Sequence, residues 1–205
     1  MIKVNEEQLM VIAPYVKWLL LVVALAYLGY IFVLKKEEFK SAWIVAISAL
    51  MTALVAIATM IIRIPTPQTS GYINFGDTMV MLSAVLFGPL VGGFAGGFGS
   101  AIADAFGYPH WAPFTLIIKG VEGWVVGYIT SKRDDFTSVL VATIVGGFLM
   151  VLGYFLVEVW LYGIGGATAE LPGNTLQAVT GVVVGGGLGY LLRRSYPQVS
   201  FLLKA

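Results

Sequence analysis

Four ionisable side chains, Asp104, Lys119, Glu122 and Glu158, fall inside apolar stretches of this 205-residue chain. A charge in hydrocarbon is costly, so such residues mark ion pairs, proton relays or ligand contacts. Their spacing narrows the choice. Trp111, Thr115, Lys119 and Glu122 recur at intervals of four, four and three, which places them on one helical face. Tyr154, Glu158 and Tyr162 share a second face, and Asn174, Gln177 and Gly181 a third. Asp104 continues the row Gly88, Gly92, Gly96 and Ser100. Polar faces that carry aromatics and converge beneath one mouth describe a pocket for a small, polar, ring-containing solute. A purely structural reading competes with this. Lys119 and Glu122, three apart, would neutralise each other in a bundle core. Asp104 and Glu158, close to helix ends, would stay wet. Trp111, Trp160 and Tyr162 would belong to an interfacial belt. His110, Arg63 and Asp77 read most simply as loop filler, interfacial anchor and helix N-cap.

The elements that must position these groups are transmembrane. Apolar residues make up 59% of the chain and charged residues 11%, less than half the charge of an ordinary soluble domain. The mean hydropathy is +0.90. The spacing predicts apolar spans at 13–34, 42–63, 78–88, 90–107, 111–131, 137–162 and 173–193, and nothing left over is large enough for a soluble domain. The first is too long for a signal-peptide core and is read as a retained helix. Phe87-Gly88-Pro89 breaks the third from the fourth, so that pair reads as a tight or re-entrant helical hairpin. The expected fold is an all-α integral membrane protein, with a six-helix unit over 41–205 and one extra N-terminal transmembrane helix within 1–40.

Basic residues orient it. Lys35, Lys36, Lys40, Lys132, Arg133, Arg193, Arg194 and Lys204 fall on one side of alternating spans, against Lys3, Lys17 and Arg63 on the other. That asymmetry puts the N-terminus outside and the C-terminus in the cytoplasm. Segments 64–77, 107–111 and 163–172 are then outer loops. Small residues four apart supply close helix contacts in lipid: the Gly88 row, Gly123 with Gly127, Gly181 with Gly185 and Gly189, and Ala42 with Ala46 and Ala49 with Ala53. The Ala pairs serve internal packing and partner docking equally well.

Much chemistry is excluded. The chain has no cysteine and one histidine, so thiolate and multi-histidine metal sites are out. Gly92 to Gly99 lacks the Lys-Ser/Thr of a phosphate loop. A net charge of +1 gives no field for nucleic acid.

Three segments are distinctive: Tyr72-Ile73-Asn74-Phe75-Gly76-Asp77, Leu86-Phe87-Gly88-Pro89-Leu90-Val91-Gly92, and Pro113-Phe114-Thr115-Leu116-Ile117-Ile118-Lys119-Gly120. With Leu171-Pro172-Gly173-Asn174 they resemble the S component of energy-coupling factor (ECF) vitamin transporters, riboflavin-type, from about Ala42 to Arg194. The resemblance implies a substrate-binding subunit in the cell membrane that captures a vitamin from outside. It would work with a membrane coupling subunit and two ATPases, and would bind no cofactor itself, since ATP is used by the partners. The family's docking motif maps onto Ala42, Ala46, Ala49 and Ala53. Its outer pocket, built from the first outer loop and the last helices, maps onto Tyr72, Asn74, Asp104, Trp111, Thr115, Lys119, Glu122, Tyr154, Glu158, Asn174 and Gln177. Riboflavin is the expected ligand, with FMN or another vitamin or precursor, such as a hydroxymethylpyrimidine, as alternatives. Two other classes compete. A proton-coupled secondary transporter would use Asp104, Glu122 or Glu158 as relays, but the chain is short for an inverted repeat. An intramembrane enzyme would need a nucleophile that the carboxylates lack.

Overall fold

A computed structural model describes residues 41–133 and 135–196, together with positions 22, 26, 29 and 198. The predicted N-terminal span, 13–34, lies outside the described residues apart from three of those positions. Among the described residues, three helical runs are long and apolar enough to cross a membrane: Ala42–Ile61, Gly76–Ala105 and Phe136–Ser195. The elements are α1 (Ala42–Ile61), β1 (Ile64–Thr66), β2 (Gly71–Ile73), α2 (Gly76–Ala105), α3 (Ala112–Lys132), α4 (Phe136–Thr180), a π-helical turn (Gly181–Gly186) and α5 (Gly187–Ser195).

Two of these helices fold back on themselves. Val80 and Gly96 would be about 24 Å apart along a straight helix, yet a Cβ on Gly96 would sit 2.8 Å from Val80 Cγ1. Likewise a Cβ on Gly92 would meet the Ala84 backbone at 2.6 Å. These pairs are symmetric about Gly88, which takes φ 79° and ψ −171°, a region open to glycine and strained for any other residue. Pro89 follows as the first residue of the outgoing half, where it loses no hydrogen bond. The hairpin expected at Phe87-Gly88-Pro89 is therefore present. The second reversal is at Gly163, φ 74° and ψ 176°. It brings Asn174 Nδ2 to 3.1 Å from Glu158 Oε1, sixteen residues away.

This second turn corrects the expected outer loop over 163–172. One glycine makes the whole reversal, and helix resumes at once through Pro172. The residues after Gly163 are small or apolar and pack as helix, so Leu171-Pro172-Gly173, a loop signal in sequence, lies within α4. A further departure from the all-α expectation is the antiparallel ribbon β1–β2, which pairs Ile64 with Ile73, Pro65 with Tyr72 and Thr66 with Gly71.

Glycine sets the packing. A Cβ on Gly123 would lie 2.2 Å from the Gly92 carbonyl oxygen, and one on Gly127 would lie 2.4 Å from the Gly88 carbonyl carbon. The α2 hairpin and α3 thus touch backbone to backbone, as helices do in lipid where burying apolar side chains gains little. Gly185, in the π turn, approaches the Thr78 carbonyl in the same way. Large apolar side chains point outward instead: Phe148 is 63% exposed, Ile61 72% and Val183 66%. That surface suits hydrocarbon.

Candidate functional site

The polar residues gather at one end of the bundle. The C-terminal end of α1, both ends of α2 and the N-terminal end of α3 meet there with the reversal of α4, beside the β1–β2 ribbon. They line a cleft of about 450 Å³ of non-atom space, open solvent at its mouth included. Ten of the residues expected to bind substrate line it: Tyr72, Asn74, Asp104, Trp111, Thr115, Lys119, Tyr154, Glu158, Asn174 and Gln177. Glu122 does not. It lies one turn deeper on α3, fully buried beside Lys119. Trp160 also lies off the cavity wall and packs edge-on against Phe114, centroids 5.9 Å apart. Tyr162 sits beside Trp111, centroids 6.1 Å apart.

The wall is a set of hydrogen-bonded relays. Tyr72 Oη donates to Asp104 Oδ1 at 2.5 Å. Thr115 Oγ1 and Tyr154 Oη are 3.0 Å apart. Asn174 Nδ2 donates to Glu158 Oε1, and Gln177 Nε2 donates to Asn174 Oδ1 at 3.1 Å. Gln177 Oε1 accepts the Asn74 backbone N–H at 2.9 Å, and Asn74 Oδ1 accepts that of Gly76 at 2.8 Å. The first outer loop is thereby tied to the last helical segment. Asp104 and Glu158 are 2% and 3% exposed, so neither stays wet as a helix-end residue would. Burial, and next the Asp104 carboxylate, push the Tyr72 hydroxyl far above the ordinary phenol range. Tyr72 therefore remains a donor at every physiological pH.

Three partners escaped the sequence reading. Asp77 is not a cap: Phe75 occupies the N-cap position, and the Asp77 carboxylate receives a hydrogen bond from Lys119 Nζ in the interior. Glu170, placed in a loop by its neighbours Leu171-Pro172-Gly173, is buried and accepts from Thr69 Oγ1 at 2.8 Å. Arg63 is more than an interfacial anchor. It donates to the Ala103 carbonyl at 2.5 Å and stacks over the Tyr72 ring at 4.9 Å. Of the three, only Asp77 left a trace, as a carboxylate in an apolar neighbourhood. His110 is exposed, with its ring beside Trp111.

Several polar atoms in the cavity wall lack a partner: Ser100 Oγ, Trp111 Nε1 and Glu158 Oε2. Buried groups of this kind cost stability unless something fills their valence, and a bound solute would. Among the described residues no three His, Cys, Asp or Glu side chains converge to hold a metal.

Residues 38–194 match the family model of the ECF-type riboflavin transporter S component. The chain belongs to that family. It is a multi-pass membrane protein, and its family is one of transporter components rather than enzymes. The S component is also 56% identical over 140 residues to a protein of Pyrococcus woesei described only as uncharacterized, covering 68% of this chain and 95% of the relative. It is 31% identical over 149 residues to the thiamine precursor transporter HmpT of Lactococcus lactis subsp. cremoris, covering 72% and 86%. A UPF0397 protein of Streptococcus agalactiae is 34% identical over 82 residues, 39% of this chain and 44% of that one.

Proposed function

We propose that this S component captures riboflavin from the outer face of the cell membrane and carries it inward, powered by a coupling subunit and two ATPases. The observation that carries the reading is the polar, aromatic-lined cleft at one end of the bundle. Trp111 and Tyr154 bring aromatic rings to its wall, and Trp111 Nε1, Ser100 Oγ and Glu158 Oε2 bring polar atoms that no protein group pairs. The unit reads as six helical rods, two of them the halves of α2 and two the reversal at Gly163, plus the N-terminal helix expected from sequence. The N-terminus is outside and the C-terminus cytoplasmic. Ala42, Ala46, Ala49 and Ala53 are all exposed along one side of α1, which leaves them open to a coupling subunit. Family membership and this exposure support that docking. The chain itself holds no cofactor in this reading; ATP is spent by its partners.

A second ligand reading has specific support. The relative in Lactococcus is named for a thiamine precursor, and the cavity wall carries three carboxyls, Asp104, Glu158 and Glu170. Carboxyls of this kind pair well with an aminopyrimidine that donates two hydrogen bonds. Titration decides between them. Purified protein is expected to quench flavin fluorescence stoichiometrically, and a hydroxymethylpyrimidine is expected not to reverse it. No quenching, with calorimetric binding of the pyrimidine, would replace riboflavin by the precursor. Binding of neither would remove the pocket assignment.

A further inference from the structure

We infer that Asp77, Lys119 and Glu122 form a buried proton-binding site, in which Glu122 holds one proton shared with Asp77 and keeps the triad neutral while Lys119 fronts the cavity. This is independent of which solute the cavity takes. All three side chains are sealed: Asp77 and Glu122 are 0% exposed and Lys119 2%. Lys119 Nζ donates to Asp77 Oδ1 and stands 3.6 Å from Glu122 Oε2, beyond hydrogen-bond length. Both carboxyls therefore gather around one ammonium. Yet Asp77 Oδ2 and both Glu122 oxygens have no donor. Two ionised carboxylates face to face in a dry interior repel, and one ammonium cannot neutralise both. A single proton resolves this. It supplies the missing donor between the carboxyls and brings the charge of the triad to zero. Lys119 prefers Asp77, so the proton belongs to Glu122.

The surroundings offer no other resolution. Gly181 presses on the Asp77 Cβ, and a Cβ on Gly146 would sit 3.6 Å from Glu122 Cγ. The facing parts of α4 and the π turn therefore bring glycine rather than charge. The ionisable groups acting on Glu122 are Asp77 and Lys119. Across the cavity stand Asp104, which senses Lys119, and Tyr154, whose ring lies 5.5 Å from Lys119 Nζ. Tyr154 also senses Asp77, but neither group acts on Glu122. The consequence is redundancy: either acid can serve as the counterion of Lys119, provided the other is neutral. Glu122 is a positioning residue, not a ligand contact.

Infrared difference spectroscopy on the full chain in lipid nanodiscs tests this. The wild type minus Glu122→Gln spectrum is expected to show the carbonyl stretch of a protonated carboxyl. The same band is expected to vanish in Asp77→Asn, where Glu122 gives up its proton to replace the lost counterion. A role limited to packing would leave that band in place. Each single variant should melt within a few degrees of wild type, the double variant on the order of 10 °C lower, and the triple variant with Lys119→Met should recover. The inference is overturned by a wild-type spectrum without the band or by its persistence in Asp77→Asn. It is equally overturned by a Glu122→Gln variant as unstable as the double, or by a triple variant that recovers nothing.

Discussion

The cavity end of the bundle and the opposite end, outer and inner in the proposed orientation, are held together by different physics. At the inner end glycine backbones meet, Gly92 on Gly123 and Gly88 on Gly127, and Gly189 makes room for the Val85 side chain. Contacts there are short, apolar and intolerant of a single added carbon. At the outer end polar side chains add a second kind of joint, through Asn174, Gln177, Glu158, Tyr72 and Asp104. The difference shows how a small membrane protein makes a binding site without losing its fold. Backbone contact at one end fixes the rods closely enough that the other end can hold a cavity lined with costly groups.

That contrast can be broken most severely at the inner end. Gly123→Leu would drive a side chain into the Gly92 carbonyl, and neighbouring backbone cannot yield cheaply. The expected outcome is loss of a monodisperse peak in size-exclusion chromatography, with or without ligand. An outer-half change should behave differently. Asn174→Ala removes a donor to Glu158 and an acceptor for Gln177, so it should weaken riboflavin by about 30- to 150-fold, roughly 2–3 kcal/mol, while the elution profile stays normal. A smaller effect, about tenfold, is expected for Tyr72→Phe, which deletes one hydrogen bond to Asp104 but keeps the ring. Fluorescence titration reads both. Smallest of all is the effect of Ala49→Trp with Ala53→Trp on affinity, expected within about twofold. The same pair should abolish copurification of the coupling subunit and ATPases. Equal loss of riboflavin binding would show that these alanines pack internally and would erase the division of labour between the two ends.

The sequence made much of the outer half legible because helical periodicity is local. Trp111, Thr115 and Lys119 share a face whatever they pack against, and so do Asn174 and Gln177. The reversal at Gly88-Pro89 was equally plain, since two strong breakers coincide there. The reversal at Gly163 is hidden by a louder signal nearby: Leu171-Pro172-Gly173 carries loop-forming residues, and nothing local distinguishes Gly163 from Gly165 and Gly166 beside it. Asp77 was misread for a related reason. Capping rules see the four residues around a helix start, and its partner Lys119 is 42 positions away. Thr69 and Glu170, 101 positions apart, had no local rule to join them. Both contacts exist only because the bundle brings distant ends together.

The turn at Gly88 has a mechanical consequence. Gly88 packs against Gly127, five residues before the end of α3 at Lys132, so the α2 hairpin stops roughly 7 Å short of its neighbour. In the proposed orientation the cytoplasmic leaflet would meet a step there rather than a flat wall. Hydrophobic mismatch of this kind costs fractions of a kcal/mol per Å, and the cost changes as the protein tilts. A bilayer of different thickness would therefore favour a different tilt of the same rigid body, which makes lipid chain length a variable to control whenever transport by this unit is measured.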